Sequence, residues 1–245
     1  MATPLFYKRV VPLDSRNHRE LRVRPSEKPL AFASSSSVIP ALIEEFASAA
    51  GELPVAFMPG PDVPSAVFIT GLKPGHNAFV TESGHWSGRY VPAYLRRYPF
   101  IVGDVPGGEP ILCIDDSYDG FNKDTGTRLF SSEGVPEESL QQALSFAQGY
   151  KVAAEKTEAA CAKLKQLGLF RSVTLDAKLS DGQTSVVHGL LIIDEEALAA
   201  LPPKKVAELH AEQLLKPIYA HLVSLEALSR LGDRERTAET KSAAA

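Results

Sequence analysis

The spacing of apolar positions changes once along this chain. Up to residue 115, short apolar or alternating runs follow one another at intervals of roughly ten residues, with turn residues between them, which is the pattern of short β-strands. One helix interrupts these runs: residues 38–50 have a helical apolar spacing, with Ser37 as the N-cap and Gly51 just past the end. The predicted strands cover residues 5–13, 18–24, 54–58, 66–70, 78–81, 100–102 and 111–115.

Beyond residue 134 the apolar spacing becomes helical. Apolar and small residues recur every three or four positions from Leu140 to Leu164, so we predict one long helix over residues 136–167, ended by Gly168. Two strands, residues 173–175 and 185–193 with a turn at 180–182, precede further helices. We expect these helices to start at residues 195, 203 and 217, and the last to end at Gly232.

The two patterns predict an α+β fold. A β-rich N-terminal half of short, mostly antiparallel strands would pack against a helix-rich C-terminal half, with the long helix bridging them. We expect residues 1–232 to form a single domain, and residues 233–245, which are small and polar, to form a disordered tail. The apolar fraction of 44% and the charged fraction of 23% are those of an ordinary globular protein.

Charge and hydropathy narrow the class of partner. The net charge is −4, whereas a general nucleic-acid surface shows a basic excess, so we expect no nucleic-acid partner. No apolar run reaches the ~18 residues of a membrane span, and the first residues lack the apolar run of a secretory signal. We therefore expect a cytoplasmic location, with signal-free secretion to the cell surface as the alternative.

The reactive residue types have simple structural explanations. Four aspartates lie between residues 115 and 124, but without the ordered spacing, central glycine and closing glutamate of a helix–loop–helix calcium site. The histidines show no metal-ligand spacing, and no Gly-x-Ser-x-Gly motif occurs. Cys113 and Cys161 are most simply core residues, although one disulfide between them stays open. We predict no metal, no cofactor and no catalytic residue.

Residues 88–100, GRYVPAYLRRYPF, are the strongest candidate for a binding site. Tyrosines recur every fourth residue on one face of a short helix predicted over residues 92–98, while the two arginines point elsewhere. Arginine both pairs with anions and stacks on rings, so the stretch suits an anionic or planar ligand. The alternative, which we favour, is a helix that only packs the core. The candidate ligand-binding residues are Tyr90, Tyr94, Arg96, Arg97 and Tyr98.

The second hypothesis about function is an enzyme, because a catalytic site assembled from separate loops leaves no sequence motif. Its least implausible members are Asp115, Asp116, His85 and Arg96. A pocket that joined these four residues would favour an enzyme, and their placement on separate surfaces would argue against one. We lean towards a protein without catalytic activity.

Several longer motifs lie in a fixed order along the chain: HRELRVRP (residues 18–25), GLKPGHNAFV (71–80), GRYVPAYLRRYPF (88–100), ILCIDD (111–116), GLLIIDEEALAALP (189–202) and IYAHLVSLEALSRL (218–231). Together they resemble the SapC family of bacterial proteins over nearly the whole chain. YVPAYLRRYPF alone is hard to produce by chance.

The resemblance implies little about function. The family is named for association with a surface layer, and some members carry a peptide-transport permease label that conflicts with the lack of a membrane span. Members accompany TonB-dependent receptors, flavin-dependent halogenases and JmjC-like oxygenases, which implies an accessory role in nutrient uptake or tailoring. No catalytic residue follows from the resemblance. We therefore expect a soluble accessory or binding protein with a small ligand or an unknown protein partner. The alternatives are the scattered-site enzyme and a surface-layer structural protein.

Overall fold

The computed structural model describes residues 4–104, 107–108, 110–178 and 184–243. In these ranges the strands are β1 (Val10–Pro12), β2 (Arg22–Val23), β3 (Val38–Pro40), β4 (Val55–Met58), β5 (Ser65–Ile69), β6 (Phe100–Gly103), β7 (Ile111–Asp115), β8 (Phe121–Asn122), β9 (Thr127–Arg128), β10 (Phe170–Lys178) and β11 (Thr184–Ile193). The helices are α1 (Phe46–Ala49), α2 (Ala93–Arg96), α3 (Glu138–Gln166), α4 (Glu195–Ala199), α5 (Pro203–Ala211), α6 (Leu215–Ser224) and α7 (Ala227–Ala243), with a 3-10 turn at Ala31–Ala33.

The predicted α+β fold is confirmed. The main sheet has the strand order β10-β11-β4-β5-β3 and is antiparallel throughout, with Leu191 of β11 opposite Phe57 of β4. Strands from both halves of the chain therefore share one sheet. Two further small antiparallel sheets have the strand orders β1-β7-β6 and β8-β2-β9.

The long helix α3 joins the parts of the core. Its 29 residues bury a row of mostly small or medium side chains, which lets its backbone lie close to its neighbours. Ala160, Cys161 and Leu164 face the same core cluster as Phe57 of β4 and Ile218 of α6. Cys113 and Cys161 are both buried and free, so the pairing that the sequence left open is absent.

The helix predicted over residues 38–50 is wrong for its first half. Val38–Pro40 is instead the edge strand β3, paired with β5, and the Ala41 N–H continues this pairing to the Ala66 carbonyl at 3.0 Å. The β-branched residues Val38 and Ile39 favour a strand, and an edge position tolerates Pro40, which cannot donate a hydrogen bond.

The last helix does not end at Gly232, and residues 233–243, expected to be disordered, continue α7. Tertiary contacts hold the first residues of this extension. The carboxylate of Glu235 is buried and accepts the Leu72 N–H at 2.6 Å, and Arg234 donates to the Ser87 hydroxyl at 2.7 Å. The guanidinium carbon of Arg234 also lies 4.3 Å from the centre of the Phe79 ring. The turn predicted at residues 180–182 lies outside the described residues.

Candidate functional site

Arg97 lies inside an aromatic cluster at the end of α2. Its guanidinium carbon is 4.2 Å from the ring centres of both Tyr94 and Tyr150, and 5.6 Å from that of Tyr7. All three tyrosines are buried. Within the described ranges no carboxylate forms an ion pair with Arg97, and its buried Nε has no hydrogen-bond partner. Ring faces therefore take the place of a counter-ion.

The ionisation of this cluster follows from its burial. Burial raises the pKa of the Tyr7 and Tyr150 hydroxyls, against an opposing effect of the Arg97 charge. The hydroxyls stay neutral, and Tyr7 and Tyr94 donate to backbone carbonyls of Phe100 (2.7 Å) and Leu5 (3.0 Å). The cluster thus fastens the N-terminal segment to α2 and α3.

Arg96 is the exposed arginine of the pair. Its Nε donates to the Val91 carbonyl at 3.0 Å, and its guanidinium carbon lies 5.1 Å from the centre of the Phe146 ring and 6.0 Å from that of Tyr90. No carboxylate in the described part of the chain forms an ion pair with it. An exposed guanidinium that is backed by two rings and lacks a counter-ion suits a carboxylate or a phosphate.

Glu45 fixes the position of α2. Its Oε1 accepts the Tyr90 hydroxyl at 2.8 Å and the Ala93 N–H at 2.7 Å, while Oε2 accepts the Leu42 N–H at 3.0 Å. The side chain is buried. Burial and this carboxylate together raise the pKa of Tyr90. Sequence reasoning missed Glu45, although a glutamate placed just before Phe46 in an apolar stretch was a usable signal.

Tyr98 belongs to a different contact network from Arg96. Its ring centre lies 4.2 Å from that of Phe32, and its hydroxyl is 3.5 Å from Oδ2 of Asp115. The structure therefore groups the predicted residues as Tyr94 with Arg97, Tyr90 with Arg96, and Tyr98 towards Asp115. They line no common pocket among those found in the described residues.

A family model described as SapC matches residues 13–231, which is most of the chain. The chain belongs to the SapC family. The resemblance that the sequence motifs indicated is thereby confirmed. No curated protein and no solved structure matches this SapC chain. Among the helices that the structure describes, none combines the length and the apolar content needed to cross a bilayer.

Asp115 of this SapC protein has a structural role. It is fully buried, and its carboxylate accepts the N–H groups of Lys8 (2.7 Å) and Arg9 (3.1 Å) and the Ser117 hydroxyl (2.7 Å). Burial alone would raise the pKa of this carboxyl, but the hydrogen bonds outweigh it and the pKa is lowered. Asp115 therefore anchors the N-terminal segment as a carboxylate.

The four residues of the scattered-site enzyme share no described contact. Asp116 pairs with Arg9, and His85 lies in an exposed turn 3.3 Å from the Ser83 hydroxyl. Arg96 lies on α2 with the ring contacts given above. Over the described ranges, no group of three or more His, Cys, Asp or Glu side chains is arranged to hold a metal ion.

Proposed function

We propose that this SapC-family chain is a binding protein that holds an anionic group of its ligand or partner at Arg96. The observation that carries the proposal is the exposed guanidinium of Arg96, which lies against the rings of Phe146 and Tyr90 and has no carboxylate partner in the described structure. A guanidinium held in this way offers two parallel N–H donors to a carboxylate or phosphate.

The surroundings of Arg96 support a preformed site. Glu45 fastens the start of α2, and Arg97 fastens its end to α3 through the ring of Tyr150. A binding group on a fixed element loses less conformational freedom when the ligand arrives, which favours affinity. Of the five predicted ligand-binding residues, Arg96 and Tyr90 would then meet the ligand, and Tyr94, Arg97 and Tyr98 would hold α2 in place.

The finer proposal concerns the biological setting. We propose an accessory role in TonB-dependent nutrient uptake or in halogenase and oxygenase systems, because SapC-family members accompany these receptors and enzymes. The anionic group would belong to a small molecule or to an acidic patch on a partner protein. No observation favours the scattered-site enzyme, because Asp115, its most buried member, already uses both carboxylate oxygens in structural hydrogen bonds.

Native mass spectrometry of the protein purified from its own cells tests the proposal. Wild type, Arg96→Ala and the control Arg128→Ala, which removes an exposed arginine on β9, would be compared with their denatured masses. We expect a retained acidic small molecule in wild type and Arg128→Ala that is absent from Arg96→Ala. If no small molecule is retained, we expect a partner protein to co-purify with wild type and Arg128→Ala only. Equal retention by Arg96→Ala would contradict the proposal.

A further inference from the structure

A groove of about 560 Å³ lies along α3, well away from Arg96. It is lined by Lys156 and Ala160 of α3, whereas Arg96 contacts Phe146; ten residues of helix separate Phe146 from Lys156, or roughly 15 Å. The other walls are the segment before and within α1 and the turn between α5 and α6. The volume lies in the range of roughly 300–1,000 Å³ that is typical of small-molecule sites.

The floor of the groove is apolar and leads towards the core. Ile43, Ala160, Leu214 and Pro217 line the groove and also line a narrow crevice beneath it, which reaches Phe57 of the central sheet. All residues that line this crevice are apolar. Beside it, small alanine side chains at positions 47 and 159 leave room for an apolar group to lie against the helices.

Most charged residues at the rim of the groove form ion pairs in the described structure, but Lys216 does not. Glu44 pairs with Lys156 at 3.3 Å, and Glu212 pairs with Lys163 at 2.9 Å. In the described structure Lys216 has no ion-pair or hydrogen-bond partner, and neither does the side-chain amide of Gln213.

The end of α5 fixes the backbone at this part of the groove. Gln213 has a φ of 59° and follows the last turn of α5, where its N–H donates to the His210 carbonyl at 3.0 Å and the Leu214 N–H donates to the Leu209 carbonyl at 2.9 Å. It lies in the turn between α5 and α6, three residues before Lys216. Gln213 and Lys216 both line the groove, and an ammonium group and an amide N–H donor above an apolar floor together match a carboxylate.

We propose that this groove binds an amphipathic monocarboxylate. The carboxylate lies at Lys216 and Gln213, and the hydrocarbon part runs past Ala47 and Ala159 towards the crevice at Ala160. This site uses none of the residues assigned to anion binding at Arg96, so either proposal stands or falls without the other.

The test uses octanoate as the probe, with octanol as its uncharged counterpart, and follows backbone amide shifts by NMR. We expect saturable shifts around Ala47, Ala159 and Leu214 with octanoate, and weaker binding of octanol. Lys216→Gln should weaken octanoate binding by roughly two- to fivefold, as expected for one ion pair with an exposed lysine. Lys204→Gln, which removes an exposed lysine of α5 outside the groove, should leave binding unchanged.

A second variant separates loss of the site from loss of the fold. Ala159 is exposed on α3, so Ala159→Leu suits the helix while filling the groove, and we expect it to abolish octanoate binding without changing the rest of the spectrum. Equal affinity for octanol and octanoate would overturn the proposal. So would unchanged binding by Lys216→Gln, shifts confined to another surface, or no saturable binding by the wild type.

Discussion

The guanidinium carbon of Arg97 lies 4.2 Å from the centre of the Tyr150 ring, and this contact joins α2 to the middle of α3. Its sequence neighbour Arg96 is exposed, with its guanidinium carbon 5.1 Å from the centre of the Phe146 ring. Two adjacent arginines therefore have separate roles: Arg97 contributes to the core, and Arg96 carries the exposed charge on which the proposed binding function rests.

Replacing the two arginines separately should show this difference. Arg97→Ala removes a desolvated cation–π contact and a packed side-chain stem, so we expect the free energy of unfolding to fall by about 3 kcal/mol. Arg96→Ala should lower it by less than about 1 kcal/mol, because Arg96 is exposed. Urea denaturation of both variants measures the difference. Equal losses would mean that Arg96 is structural as well, which would remove the basis for a free binding group.

Glu45 should matter more than its neighbour Glu44. Glu45→Gln replaces one acceptor oxygen by an amide group, so that at least one of the three donors at this buried carboxylate loses its partner. We expect a loss of about 2 kcal/mol in stability, the typical cost of an unsatisfied buried donor. Glu44→Gln, on the exposed side, should change stability by no more than about 0.5 kcal/mol. Similar values for the two variants in urea denaturation would show that Glu45 does not fasten α2.

Helices and strands could be predicted from the sequence where their local apolar spacing favours the same conformation that they adopt in the fold. The long helix α3 follows from its apolar spacing, and β4 and β5 follow from short apolar runs between turn residues. The run at residues 38–40 could not be assigned in this way, because its strand conformation depends on pairing with β5. The extension of α7 is a similar case, since burial of Glu235 against Leu72 stabilises a stretch whose composition resembles a tail.

The candidate site was predictable only in part. The spacing of the tyrosines predicts the short helix α2. The prediction that both arginines point away from the tyrosines is wrong for Arg97, whose guanidinium carbon lies 4.2 Å from the centre of the Tyr94 ring. Which arginine packs against the aromatic cluster depends on Tyr150, which lies on a helix far along the chain. The groove at Lys216 has no sequence signal, because its walls come from three separate segments.

Acid should destabilise the protein through His221. This side chain is buried in α6 with Nε2 accepting the Ile193 N–H at 3.0 Å, and burial lowers its pKa from 6.5 to about 4. Because the unfolded chain binds the proton more readily, His221 costs no stability above about pH 6.5, and stability falls as the pH drops below that value. By pH 4.5 we expect a loss of roughly 2.5 kcal/mol from this group.

A pair of variants isolates this effect. His221→Gln removes the titrating group and should flatten the dependence of unfolding free energy on pH between 6.5 and 4.5. His210→Gln, which alters an exposed histidine of α5, should keep the slope of the wild type. Carboxylates with a lowered pKa, such as Asp115, act mainly at lower pH and do not obscure this window. An unchanged slope in His221→Gln would assign the acid sensitivity to other groups.

Gly71 should not tolerate a side chain. A Cβ atom at this position would lie 2.0 Å from the carbonyl oxygen of His76, and backbone cannot move aside as a flexible side chain can. Any backbone movement that relieved this clash would also displace the Leu72 N–H, which donates to the Glu235 carboxylate. We therefore expect Gly71→Ala to lower stability by about 3 kcal/mol. Gly51→Ala, where a Cβ meets nothing within 4 Å, should change it by no more than about 0.5 kcal/mol. Equal urea midpoints for Gly71→Ala and Gly51→Ala would show that the loop at residues 71–76 rearranges at little cost in free energy. The contact between Leu72 and Glu235 would then not be what holds α7 in place.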